Sequence, residues 1–272
     1  MSDVWTFRSG TVDRMIYDGV IRYNEYQLPD RFLPSDVVID VGAHIGSFAH
    51  AVVERGCRRV FCFEPDRDNC RSAETHLREY IDAGWVRLSQ TAMWRSDAND
   101  DQLRFDGYQM FPKSFTGMEG ILNTGNGSVL WGTGEAVAKI ALDDMIDEIL
   151  AGETGVGESA TNEARRIRLL KLDCEGAEWP ILLTSRRLHL VDEIAGEFHE
   201  IGGDYLEIGE DRPAAPIVFE SDRVTSFTIE ELARVLTDSG FTVTHKRHRR
   251  PDSALEGLGM FFAKRPAQIG RS

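Results

Sequence analysis

The sequence predicts an α/β protein in which a mostly parallel sheet carries helices on both faces and ends in an antiparallel hairpin. Three observations predict it. Short apolar runs alternate with amphipathic stretches of helical length, the rhythm of repeated βαβ units. The first run ends in an acid and a glycine turn that opens a helix, and the last two runs follow one another with no helix between them.

Val37 to Val41 is the first strand, and Ser47 to Glu54 the first helix of the repeat. Arg59 to Phe63 is the second strand, Arg67 to Ile81 a long helix, and Val86 to Ser89 a short strand. Leu169 to Leu172 is apolar but for Lys171, the run expected of a strand buried on both faces. Glu193 to Phe198 follows it. A helix from Ile229 to Ser239 stops at Gly240, and Phe241 to Lys246 with Met260 to Lys264 make the terminal hairpin. Residues 1–35 are expected to form an N-terminal cap and 36–266 one domain, with 267–272 as a tail. Inside that domain, the glycine-rich stretch 96–139, with Tyr108, Phe111, Phe115 and Trp131, reads as an insertion of short strands. The small, acidic stretch 151–165 reads as a mobile loop, and the loop 202–226 carries Tyr205 where it could close over a ligand.

At 272 residues and 42% hydrophobic composition the chain can bury a core of its own. It has no apolar run near the roughly 18 residues of a membrane span, and its first residues lack a signal-peptide layout, so we expect a cytoplasmic protein with no membrane partner. A formal charge of −14 repels phosphate backbones and argues against nucleic acid. The basic run His245 to Arg250 reads as a solvated hairpin edge. Cys57, Cys62, Cys70 and Cys174 lack paired ligand spacing and are expected to be reduced, interior thiols. A homodimer is compatible with the sequence.

The chemistry starts at Val37 to Phe48, VVIDVGAHIGSF. Gly42 and Gly46 let the backbone turn and lie against a ligand, and the helix start that follows presents free amides to a carboxylate such as that of a methionine tail. Asp40, Ala43 and His44 share this loop. Glu64 ends the next strand in RVFCFEPD, followed by Pro65, at the point where a ribose could be held by both hydroxyls. The spacing D-x-G-x-x-x-G lacks the third glycine of a dinucleotide fingerprint, which favours S-adenosylmethionine over a nicotinamide cofactor. Thr91 and Ala92, in the turn Gln90 to Met93, are placed to flank an adenine ring.

Arg168 to Leu183, RLLKLDCEGAEWPILL, sets Asp173 and Glu175 just past a buried strand. Together with VVIDVGAHIGSF, the FEP of Phe63 to Pro65 and the LDD of Leu142 to Asp144, it resembles the FkbM-type methyltransferases. The resemblance implies a Rossmann-like class I methyltransferase with a seven-stranded sheet. It further implies S-adenosylmethionine held by Asp40, Gly42, Gly46 and Glu64, and methyl transfer to oxygen on a sugar, glycan or natural-product acceptor.

A hydroxyl acceptor needs a base or a metal to shed its proton. His199, at the end of EIAGEFH, is the candidate base, and Asp173 and Glu175 are its candidate partners. Asp173, Glu175, Glu197 and Glu200 also offer oxygen ligands for a divalent metal such as magnesium. Asp143 and Asp144 read as helix-capping acids. Tyr108, Trp131 and Tyr205 could pack a lid or stack on a sugar. The rival readings are a nicotinamide-dependent oxidoreductase and a non-catalytic S-adenosylmethionine-binding protein.

Overall fold

The structure, a computed structural model, describes residues 5–97, 102–107, 109–110, 117–118, 120–152, 166–201, 221–248 and 257–266. Seven strands form the main sheet: β1 (Val38–Val41), β2 (Val60–Phe63), β3 (Val86–Ser89), β4 (Ile167–Leu172), β5 (Val191–His199), β6 (Thr242–Arg247) and β7 (Leu258–Lys264). Their order is β6-β7-β5-β4-β1-β2-β3. From β3 to β5 every neighbour is parallel, and β7 runs antiparallel between β5 and β6. This is the mostly parallel sheet with a C-terminal hairpin that the sequence predicts.

Successive side chains of a strand point to opposite faces, so each central strand feeds two cores. Val38, Val60 and Leu169 pack with helices α1 (Asp13–Ile21), α2 (Ser47–Glu54) and α3 (Arg67–His76). Ile39, Val41, Leu170 and Leu172 pack with α5 (Leu142–Ala151), α6 (Glu178–Thr184) and α7 (Ile229–Asp238) on the other face. The single helix expected over Arg67 to Ile81 is instead α3 followed by α4 (Arg78–Asp82). Leu77 breaks it, with φ −98° and ψ 8°, and its fully buried side chain wedges under Gly46.

Three short ladders lie between β3 and α5: Ala92–Trp94 with Lys139–Ala141, Leu103–Phe105 with Glu135–Val137, and Gln109–Met110 with Leu122–Asn123. Reciprocal backbone bonds join the N-terminal segment to the last of these, Val12 N–H to the Leu122 carbonyl (3.2 Å) and Leu122 N–H to the Gly10 carbonyl (2.8 Å). Tyr108, Phe111, Phe115, Tyr205, most of the expected loop 151–165, Arg249, Arg250 and the tail 267–272 lie outside the described residues. Among the described residues no helix is long and apolar enough to cross a membrane.

The hairpin edge carries His245, Lys246 and Arg247 on β6, with Arg247 bonded to Glu200 and Glu230 at 2.7 and 3.0 Å. All four cysteines are free thiols, Cys57 and Cys62 buried and Cys70 and Cys174 half-buried.

Candidate active site

The carboxyl ends of β1, β2, β4 and β5 open into one cavity of about 590 Å³. Its size is that of a small-molecule site.

One half of the cavity is built by the turn after β1. Gly42, at φ +78°, donates its backbone N–H to the Phe63 carbonyl at 2.9 Å, and a Cβ there would overlap the carbonyl oxygen of Asp173. Only glycine therefore lets the β1 turn close against the β4 turn. His44, also left-handed at φ +51°, donates its amide to Glu64 Oε2 at 2.7 Å, while the Asp66 amide takes Oε1 at 2.9 Å. Glu64 is 4% exposed, and burial pushes its carboxyl up to about 7 despite those two amides.

His44 Nε2 lies 2.9 Å from the Thr124 hydroxyl, which donates to Asp13 Oδ1 at 2.8 Å. Because Thr124 spends its proton on Asp13, it must accept from His44 Nε2–H. That leaves Nδ1 as a bare lone pair, and burial holds the imidazole neutral by lowering its pKa to about 3. The Arg8 guanidinium forks onto Asp13, at 2.8 Å to each oxygen, and reaches Asn69 Oδ1 at 2.7 Å. Asn69 closes the ring by donating to the Thr124 carbonyl at 2.9 Å. Among buried atoms of cavity-lining residues, His44 Nδ1 and Ser47 Oγ have no hydrogen-bond partner among the described residues. Ser47 opens α2, whose first amides have no helical partners.

Several expected contacts are placed differently. Asp40 is fully buried beneath the turn and does not line the cavity. Its Oδ1 lies 3.2 Å from Lys171 Nζ, and that ammonium donates to the Gly42 carbonyl at 2.6 Å. Burial opposes the charge on Lys171, but Asp40 and Asp173 outweigh it and raise its pKa. Gly46, at φ +90°, faces the Leu77 side chain rather than the cavity. Thr91 bonds Ser89 Oγ at 2.8 Å in a separate depression, whereas Ala43, Pro65, Ala92 and Met93 line the cavity as expected.

The other half is acidic. Asp173 accepts from the Tyr26 hydroxyl at 2.6 Å. Burial would raise its pKa, but Lys171, His199 and Tyr26 outweigh that and lower it. His199 ends β5 and is 3% exposed. Its Nε2 lies 3.3 Å from Glu175 Oε2 and 3.8 Å from Glu197 Oε2, and its Nδ1 lies 3.3 Å from Glu178 Oε1. Trp179 anchors the strand end by donating to the His199 carbonyl at 2.6 Å. Glu178 is fixed by the amides of Cys174 and Gly176, at 2.8 and 2.9 Å. The structure thus brings His199, Asp173 and Glu175 together.

Glu200 leaves this group: its carboxylate accepts from the Ile229 amide at 2.9 Å and from Arg247. Asp143 accepts from Ser185 and the Arg186 amide instead of capping its own helix, and Asp144 is exposed. Trp131, 8% exposed, lines the cavity.

Several lining residues escaped the sequence reading. Glu25 and Tyr26 carry no motif, and Thr124 is one polar residue in an irregular stretch. Burial, then Asp173 and Glu197, push Glu25 up to about 7. Lys171 had a signal, a lysine inside an apolar strand, and His248, 2.7 Å from Glu197 Oε1, sat in the basic run read as a solvated edge.

The chain is 27% identical over 277 aligned residues to the AMB antimetabolite synthetase AmbE of Pseudomonas aeruginosa, taking in 92% of this chain and 12% of that protein. Among solved structures, a methyltransferase FkbM from Methylobacillus flagellatus KT aligns at 15% identity and TM-score 0.45, over 91% of this chain and 47% of that one. A Burkholderia thailandensis 1,6-didemethyltoxoflavin-N1-methyltransferase aligns at 16% and 0.41, over 97% and 82%. The profile of the methyltransferase FkbM domain matches residues 40–241, and the chain belongs to that family.

Proposed function

We propose that the chain binds S-adenosylmethionine and transfers its methyl group to a hydroxyl oxygen of a sugar or natural-product acceptor. The observation that carries this reading is the pairing of recognition groups across one cavity. The unpartnered His44 Nδ1 and Ser47 Oγ stand at the start of α2, and the buried Glu64 carboxylate stands at the end of β2. A zwitterionic amino-acid tail suits the first set: its ammonium donates to the bare imidazole nitrogen, and its carboxylate takes the serine hydroxyl and free helix amides. A ribose diol suits Glu64, and the apolar slot of Phe63, Ala92 and Met93 suits an adenine ring.

When bound, the cofactor supplies an electrophilic methyl on a sulfonium. The chain's own task is to hold an acceptor oxygen in line with that methyl and to remove its proton. His199 is the base candidate on the acceptor side, and Glu175 and Glu178, each 3.3 Å from one ring nitrogen, orient it. The nicotinamide reading finds no support in the family match.

The test separates cofactor from acceptor. A ligand at 100 times its dissociation constant adds about 2.7 kcal/mol to the folded state, so melting should rise with S-adenosylmethionine and S-adenosylhomocysteine and stay fixed with NAD. Labelled methyl from S-adenosylmethionine should then appear on oxygen in a panel of glycosides. Indifference of the melting curve to both sulfur nucleosides would remove the proposal.

A further inference from the structure

We infer that Asp173, Glu175 and His199 form a binding site for one first-row divalent cation, with Mn²⁺ preferred to Mg²⁺. The inference rests on the methyl-transfer reading, since the ion would sit in the acceptor half of the same cavity, and it makes His199 a metal ligand in place of the base. One ligand atom from each residue lies within 4.8 Å of the other two. Ligands around one six-coordinate ion of Mn²⁺ or Mg²⁺ size are about 3 Å apart when adjacent and a little over 4 Å when opposite; His199 Nε2 and Glu175 Oε2, 3.3 Å apart, already stand close to the adjacent spacing. All three residues line the cavity, so an ion they hold keeps its remaining positions open to an acceptor oxygen.

Three features beyond proximity support the site. His199 is 3% exposed, with Nε2 facing Glu175 and Glu197 and Nδ1 facing the Glu178 carboxylate. A metal-bound imidazole commonly has its second nitrogen near a carboxylate, the place that Glu178 takes here at 3.3 Å. Glu178 is itself locked by two backbone amides. Tyr26 takes Asp173 Oδ2 and leaves Oδ1 for an ion. The charge balance points the same way. Glu25, Asp173, Glu175 and Glu197 line this end of the cavity, against Lys171, which is paired with Asp40, and His248, which is paired with Glu197. A divalent cation offsets that excess. Two carboxylates suit hard ions and an imidazole suits softer ones, and Mn²⁺ accepts both, whereas Mg²⁺ favours oxygen alone. With His199 as a ligand, Glu197 and its partner His248 remain to receive the acceptor proton.

The full chain, stripped with a chelator, is dialysed against Mn²⁺ and bound metal is counted by mass spectrometry. One Mn²⁺ per chain is expected, held more tightly than Mg²⁺, with Glu175→Gln and His199→Gln each weakening it by at least about tenfold. Pulsed electron paramagnetic resonance should detect an imidazole nitrogen on the bound Mn²⁺, a coupling lost in His199→Gln. Melting shifts with S-adenosylhomocysteine, read on the same variants, report folding and the cofactor half independently of the metal. Wild type that binds no Mn²⁺, or binding that survives both substitutions, overturns the inference while leaving the cofactor reading intact. Absence of the nitrogen coupling overturns the assignment of His199.

Discussion

If Glu64 holds the ribose as proposed, cofactor affinity should depend on pH. The group is 4% exposed and burial raises its pKa to about 7, the amides of Asp66 and His44 only partly opposing that rise. Only the ionised form can accept from two ribose hydroxyls while keeping both amide bonds. With a pKa of about 7, roughly nine-tenths of the free protein is ionised at pH 8 and roughly one-tenth at pH 6. S-adenosylhomocysteine should therefore bind about tenfold more tightly at pH 8 than at pH 6, a difference of about 1.4 kcal/mol. His44 does not confuse the measurement, because its pKa is lowered to about 3 and it stays neutral throughout. Titration calorimetry at pH 6, 7 and 8 measures the dependence, and Glu64→Gln should bind more weakly and lose the slope. A flat profile in wild type, or the same slope in the variant, would refute the role given to Glu64.

The buried ion pair gives a second prediction: Lys171→Met strands Asp40, fully buried, without its cation, and should cost about 3–5 kcal/mol in urea unfolding. Adding Asp40→Asn should recover part of that loss, and a cycle with no coupling would deny the pairing. Gly42→Ala combines a left-handed backbone angle of +78° with a Cβ that overlaps the Asp173 carbonyl. It should abolish S-adenosylhomocysteine binding and lower the melting temperature by well over the few degrees of an ordinary surface change. Asp13 is held down to about 2, burial being outweighed by Arg8 and Thr124. A depressed folded pKa means stability that is present above the unfolded value of 3.8 and is lost as pH falls toward 2. Asp13→Asn should thus cost about 2 kcal/mol at pH 7, and the gap to wild type in denaturant melts should shrink by pH 3.

The sheet was legible because parallel strands buried on both faces leave apolar runs, and because a glycine turn after such a run has few other uses. His199 was legible for a related reason. It is a polar residue closing a strand whose carboxyl end faces the ligand crevice. What stayed hidden depends on knowing which strands are neighbours and which way each side chain points. Thr91 and Ala92 are adjacent in sequence, yet only Ala92 reaches the cavity, a matter of strand parity that a turn motif does not fix. Tyr26 touches Asp173 across 147 residues of chain, and no local pattern announces that.

Asp40 and Lys171 show most clearly how such a misreading arises. Each stands in a motif that points toward the ligand, one before the first glycine turn and one before the acidic turn. In the sheet β1 lies beside β4 and the two residues are register partners, so the charges meet at the floor of the cavity, with Asp40 buried beneath it and Lys171 lining it. From there Lys171 holds the Gly42 carbonyl at 2.6 Å, so the pair acts on the cofactor loop through the backbone. A substitution at Asp40 should accordingly disturb stability and loop position together. A direct ligand contact would instead weaken binding and leave the fold unmoved, and unfolding and binding measured on Asp40→Asn separate the two.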